Sequence, residues 1–224
     1  MKMHFAFLFI PILFCCQKEQ SLPTDINNVT INNITGTEQR IKPIENQIDF
    51  YQKLSNAAIC IIDPEIVYTP AYVVIKYPNG DVPPKTGVCT DVIIRAYRKL
   101  DIDLQKEVHE DMKANFSKYH NLKKWGLKTT DKNIDHRRVP NLEVFFERKG
   151  EKLPITDNPD DYKTGEIVSW LLTGDAIPHI GIITNLKSKD GKRPMIVHNI
   201  GSGQVLEDCL LNWKIVGHFR YGEK

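Results

Sequence analysis

The sequence predicts an α+β domain in which N-terminal helices pack on a C-terminal antiparallel β-sheet. Apolar residues recur at helical spacing through "QIDFYQKLSNAAICII" (47–62) and "TGVCTDVIIRAYRKL" (86–100). From residue 165 the period changes, and short β-branched runs alternate with Gly, Asp and Lys turns. Helices first and sheet after is the α+β order.

Composition narrows the class. With 224 residues there is room for one domain with a proper core. Thirty Lys and Arg stand against 28 Asp and Glu, a net charge of +2 with no basic field, which argues against a nucleic-acid partner. Hydrophobic content of 41% with 26% charged residues describes an ordinary globular body.

The chain opens on "MKMHFAFLFIPILFCC", a basic start and an apolar run of roughly 12 residues, too short to span a bilayer comfortably. Residues 1–16 are predicted to be a secretory signal. The run closes on Cys15 and Cys16 before polar "QKEQ", which resembles a bacterial lipoprotein signal with Cys16 as the lipidated residue, although Phe14 is bulky for that pattern. An ordinary cleaved signal or a short uncleaved anchor are the alternatives. Either anchor makes the N-terminus the only membrane contact and the protein an exported one of the cell envelope. Residues 17–45 are polar and Asn/Thr-rich, suited to a spacer. The folded domain is expected over 46–224.

Within it, 47–62 reads as a helix. "YTPAYVVIKYPNGDVPP" (68–84) reads as strand closed by a Pro-Asn-Gly-Asp turn. The helix of 86–100 follows, then a charged, mostly helical stretch from 105 to near Gly126. "DHRRVPNLEVFFERKG" (135–150) is a polar turn entering a short apolar helix or strand. "GEIVSWLLT", "HIGIIT", "PMIVHNI" and "WKIVGHFRY" are the strands of the sheet, with Trp170 and Trp213 expected in the core.

Three cysteines remain in this body: Cys60, Cys89 and Cys209. Cys60 and Cys209 could join and leave Cys89 free, or all three could be thiols. No CxxC pair or short-spaced Cys/His ligand set occurs, so neither a metal nor another cofactor is expected.

Cys89 falls in or just before the first turn of its helix, where unpaired N–H groups and the helix dipole favour a thiolate. A buried structural cysteine is the competing reading. A nucleophilic thiol needs an imidazole to take its proton and a polar group to orient that imidazole. His179 opens the second strand and His198 ends the third, with Asn199 beside it. If the strands are neighbours, Cys89, His179 and His198 (or Asn199) fill the three roles in chain order. Chance placement of strand histidines is the alternative.

The combination "GVCTDV", "GEIVSW", "PHIGI" and "VHN" resembles the NlpC-type cell-wall peptidases of the papain-like cysteine hydrolases. "YTPAYVVIKYPNGDVPPKTGVCTDVIIRAYR", "DHRRVPNL", "HNIGSG" and "VGHFRY" more closely resemble a bacterial family within that group, domain of unknown function 1287, over about residues 50–222. Val88-Cys89-Thr90-Asp91 stands where the wider group has Asp-Cys-Ser-Gly, and Gly165-Glu166 where it has Gly-Asp. The resemblance implies a papain-like, NlpC-type fold and a hydrolase with Cys89 as nucleophile, His179 as base and His198 as its orienting partner. It also implies peptidoglycan or a muropeptide as substrate, and Tyr77 as a side-chain donor to the oxyanion beside the Cys89 N–H.

Asp91 is either a cap of its helix or a substrate contact. His136, Arg137 and Arg138 are either a charge run paired within the protein or a reader of substrate carboxylates, to which arginine forks are suited. The alternatives to a wall peptidase are a thiol acyltransferase, an amidase acting on another amide, or a non-catalytic lipoprotein that binds wall fragments.

Overall fold

The computed structural model describes residues 49–222. The expected signal peptide, the Cys16 anchor and the 17–45 spacer lie outside the described residues. Helix α1 (Phe50–Cys60) starts where Asp49 accepts the Gln52 N–H at 2.7 Å, an N-cap bond, and it buries Leu54, Ala57 and Ala58. Helix α2 (Cys89–Arg98) is the most amphipathic segment, with Val92, Ile93, Ala96 and Tyr97 wholly buried.

One sequence expectation is corrected and two are refined. The stretch 68–84 is not a long strand. A parallel bridge joins β1 (Val67–Tyr68) to β2 (Thr86–Gly87), and the chain between is largely irregular. Pro70 and Pro78 bracket it, and its backbone finds side-chain partners instead of a ladder. Asn133 accepts the Ile75 N–H, Gln105 accepts the Gly80 N–H, and Gln105 donates to the Lys76 carbonyl. The charged stretch after 104 is broken into α3 (Leu104–Ala114), a 3-10 turn (Phe116–Lys118) and α4 (Asn121–Trp125). Asn115 breaks it by turning its amide back on Asp111. After residue 138 the chain is helical, α5 (Val139–Lys149), with Pro140 in the first turn where its missing N–H costs nothing.

The sheet follows. Strands β3 (Glu151–Lys152), β4 (Ile167–Leu171), β5 (Pro178–Lys187), β6 (Pro194–His198), β7 (Val205–Glu207) and β8 (Lys214–Arg220) lie in the order β3-β8-β4-β5-β6-β7, every pair antiparallel. The predicted strands are there, and β3 and β7 are short additions at the edges.

Alternation along β5 sorts two cores. Ile180 and Ile182 meet Leu54, Val92, Ile93, Tyr97, Phe146 and Val197 beneath the helices. Ile183 faces the other way, with Val168, Trp170, Ile196, Cys209 and Leu210. Both faces of the central strands are therefore apolar, which explains their near-continuous hydrophobic runs.

Candidate functional site

Helix α2 begins with Cys89 as its first residue, and the start is braced from two directions. Asp91 turns back to accept the Val88 N–H at 2.7 Å, while Val88, lacking a side-chain acceptor, cannot return the bond. Arg137 forks onto the same carboxylate, Nε to Oδ1 at 2.9 Å and Nη2 to Oδ2 at 3.0 Å. The Arg137 guanidinium also donates to the carbonyls of Thr69 and Ala71, and Thr90 donates its hydroxyl to the Arg137 carbonyl. Of the alternatives left open for these two residues, the structure shows the ones within the protein. Asp91 is a cap and ion-pair partner rather than a substrate contact, and Arg137, whose side chain is 3% exposed, reads Asp91 rather than a ligand.

The neighbours in "DHRR" are likewise turned inward. His136 is buried, and burial first, then the charges of Arg137 and Arg98, hold its pKa down to about 3. Arg138 lies over the Trp125 ring at 4.6 Å and faces Asp135 and Asn121. No free arginine fork is left for a carboxylate at Arg137.

Tyr77 does not take the place expected of it. Its ring packs on His109 of α3 at 5.4 Å, with Lys132 over its face. The tyrosine beside the thiol is Tyr68. The bonds Val67 N–H to Lys85 and Thr69 N–H to Gly87 lay β1 along the residues just before Cys89. Burial first, then Cys89 and Asp91, push the Tyr68 hydroxyl up to about 12. Sequence reasoning chose the tyrosine of the Tyr-Pro-Asn-Gly turn; the short parallel bridge that selects Tyr68 leaves no periodic signal.

Cys89 is buried, and burial pushes its thiol up to about 12 against three backbone N–H groups, of Ile180, Thr90 and Cys89 itself, that favour the anion. The Ile180 N–H is open to sulfur because β5 pairs with β6 only from Ile182 and Val197 onward. The thiol thus sits where β6 has ended, against the peptide that follows His179.

His179 and His198 lie on adjacent strands on the sheet face opposite the helices. The residue across from His198 is Gly181, as the pairing of Ile182 with Val197 fixes. A side chain there would stand 2.6 Å from Ile196 Cγ2 and 3.3 Å from His198 Cβ, so glycine lets the His198 ring lean diagonally to His179. His179 Nε2 and His198 Nδ1 are 2.8 Å apart, and His198 Nε2 is 3.0 Å from Glu207 Oε2. Trp170 stacks on His179 at 5.7 Å, and its indole N–H donates to the Leu210 carbonyl. Burial, with His198 adding, holds the His179 pKa down to about 3.

These contacts set the tautomers. A carboxylate only accepts, so His198 Nε2 carries a proton and donates to Glu207. Nδ1 of His198 must then accept from His179 Nε2–H, which leaves His179 Nδ1 with a free lone pair. Glu207 was missed in the sequence because it lies on a three-residue edge strand with no motif around it.

The structure thus joins His179 to His198 and sets Cys89 against the next peptide; among the described residues no hydrogen bond links the thiol to either ring. Asn199 is not part of this chain of contacts. It accepts the Gly201 N–H and holds the Gly87 carbonyl, pinning the approach to α2. Cys60, Cys89 and Cys209 are all free thiols, so the possible Cys60–Cys209 bridge is absent. Donor atoms of His198, Glu207 and Cys209 fall within 4.8 Å of one another, a set that could hold a metal ion. Open clefts around Tyr51 and Arg220, Tyr72 and His109, and Cys60 and Arg95 include none of Cys89, His179 and His198.

Residues 55–221, well over half the chain, match the family described as Domain of unknown function (DUF1287). The "Uncharacterized protein YijF" of Escherichia coli (strain K12) is 52% identical over 160 residues, which cover 71% of this chain and 76% of that one. Among solved structures, that of NlpC2 from Trichomonas vaginalis aligns with 78% of this chain and 49% of its own, about half its length, at 15% identity and a TM-score of 0.40. The breadth of the family match and the identity to the Escherichia coli relative make this chain a member of the DUF1287 family.

Proposed function

We propose that the protein is an exported, lipid-anchored cysteine hydrolase that cleaves an amide bond in peptidoglycan stem peptides. The observation that carries the reading is a cysteine at the first position of a helix, packed at the end of β6 beside the strand that carries a histidine pair ordered by a carboxylate.

In this mechanism the Cys89 thiol gives its proton to His179 Nδ1 as sulfur attacks the amide carbonyl. Thiol and imidazole are both neutral at rest, as their opposed pKa shifts require, so the nucleophile forms only as substrate enters. The oxyanion is met by backbone N–H groups at the start of α2, with the Tyr68 hydroxyl as the side-chain donor. The carbon–nitrogen bond breaks as the imidazolium protonates the leaving amine. Water, deprotonated by His179, then hydrolyses the thioester and restores the thiol. His198 and Glu207 hold the imidazole tautomer that each proton transfer needs. A lipid at Cys16 and the polar spacer would tether the enzyme within reach of the wall.

The test is to incubate the wild-type protein and a Cys89→Ala variant with bacterial sacculi and identify released products by mass spectrometry. Fragments released by the wild type alone are the expected result, and their masses name the bond. Intact sacculi with both proteins, together with no cleavage of soluble muropeptides, would overturn the wall-hydrolase reading.

A further inference from the structure

His198 Nε2 is the meeting point of two acceptors. Glu207 Oε2 lies 3.0 Å from it and Cys209 Sγ 3.6 Å from it, and one N–H cannot serve both. Cys209 is as buried as His198, so its sulfur has no water to turn to, whereas the Glu207 side chain is 43% exposed and opens the cluster on one side. An imidazole, a thiol and a carboxylate are the three ligand types that zinc takes, and the thiol disfavours magnesium and calcium. Zinc bonds of about 2.0–2.3 Å at tetrahedral angles set neighbouring donors about 3.3–3.6 Å apart. The nitrogen–sulfur gap already has that span, and the nitrogen–oxygen gap needs to open by a few tenths of an ångström.

We propose that His198, Glu207 and Cys209 bind a zinc-class divalent cation, with water as fourth ligand, and that binding disables His179 as a base. The binding site stands on geometry alone; the disabling step rests on the hydrolase reading above. Proton bookkeeping gives the switch. The ion bonds to His198 Nε2, a Glu207 oxygen and Cys209 Sγ. The Cys209 proton leaves to solvent, and the His198 proton moves from Nε2 to Nδ1. His198 Nδ1 then donates to His179 Nε2, whose own proton must shift to Nδ1. The lone pair that would take the Cys89 proton is lost. One proton is released, and nothing is oxidised or reduced. Spacing in the sequence hides the site because its ligands come from β6 and from the residues around the end of β7.

The experiment titrates the full-length, metal-free protein with cobalt(II), then displaces it with zinc. A thiolate-to-cobalt charge-transfer band is expected in the wild type and in Cys89→Ser, and not in Cys209→Ser. Glu207→Ala, at a position whose side chain is 43% exposed, is expected to weaken zinc binding at least about tenfold. Long-range proton–nitrogen spectra of the imidazoles should show His179 protonated on Nε2 without metal and on Nδ1 with zinc. A band that survives Cys209→Ser, or is lost in Cys89→Ser, places the metal elsewhere and overturns the site. Binding at the site with an unchanged His179 tautomer overturns the switch. The hydrolase reading fails separately, if metal-free protein shows no Cys89-dependent amide cleavage while binding and tautomer shift remain.

Discussion

His136 shows what a single side chain contributes through its surroundings. It is 1% exposed, and its Nδ1 lacks a hydrogen-bond partner among the described residues, so protonation in the folded state is costly. Its pKa falls from about 6.5 unfolded to about 3 folded. The unfolded chain therefore binds the extra proton first, and stability held above pH 6.5 drains away as pH falls towards 3. Asp135 works the other way: burial raises its carboxyl to about 6, so its contribution is full below pH 4 and lost as pH rises through 6. The difference between wild type and His136→Gln isolates the histidine. The variant should lose less stability than wild type between pH 6.5 and pH 4, read from urea unfolding at each pH. Parallel profiles would show that His136 titrates alike in both states. The same burial explains why the role of "DHRR" stayed open in the sequence: composition shows charge, and only the fold shows which way it points.

At the scale of the element, the start of α2 is held by one buried ion pair. Asp91 and Arg137 are each 3% exposed at the side chain and share two hydrogen bonds, and Arg137 also ties down the segment after Tyr68. Removing one partner of such a pair strands the other charge in the interior, at about 3–5 kcal/mol. Arg137→Met is expected to lower stability by about that amount, a fall of roughly 10 °C in Tm for a domain of this size. The double variant with Asp91→Asn should recover part of the loss, because no charge is then left alone. A single-variant loss under about 1 kcal/mol, measured by denaturant unfolding, would show the pair to be a solvated one. Helix α2 itself was legible from its apolar stripe. Its brace was not, because Asp91 and Arg137 are far apart in sequence and ordinary in kind.

For the whole molecule, the contact between the helical layer and the sheet depends on Gly165. Its φ of +76° lies in the left-handed region, and a Cβ would overlap the Tyr51 backbone of α1. Its N–H also donates to the Ile183 carbonyl at 2.8 Å, so the turn cannot move away. Gly165→Ala is expected to cost more than about 3 kcal/mol, seen as a lower denaturant midpoint with an unchanged slope. A cost near zero would mean that α1 slides freely on the sheet. Next to it, Glu166 shows why acid and not merely glycine follows. Burial works to raise its carboxyl, but hydrogen bonds from His218 and the Lys163 N–H, with the Arg220 charge, hold it below the ordinary range. The Gly-Glu pair is thus a joint of the fold, with its acid turned to β8.

The sequence by itself determined the order of elements, the period change at residue 165, and the placing of Cys89 at a helix start and of two histidines on strands. Those features are local: periodicity and turn chemistry act over a few residues and need no knowledge of the rest. Tertiary structure decided which tyrosine lies beside the thiol, that Arg137 is taken up by Asp91, and that Glu207 and Cys209 converge on His198. These follow from strand order and register, and a register shift of one residue would send every side chain to the opposite face. Burial then finished the assignment, since the same His or Asp is a ligand in water and a brace in the core. The 68–84 segment marks the boundary between the two. Its composition favours a strand, but beyond Tyr68 no strand pairs with it among the described residues, and side-chain bonds from Asn133 and Gln105 took the backbone instead.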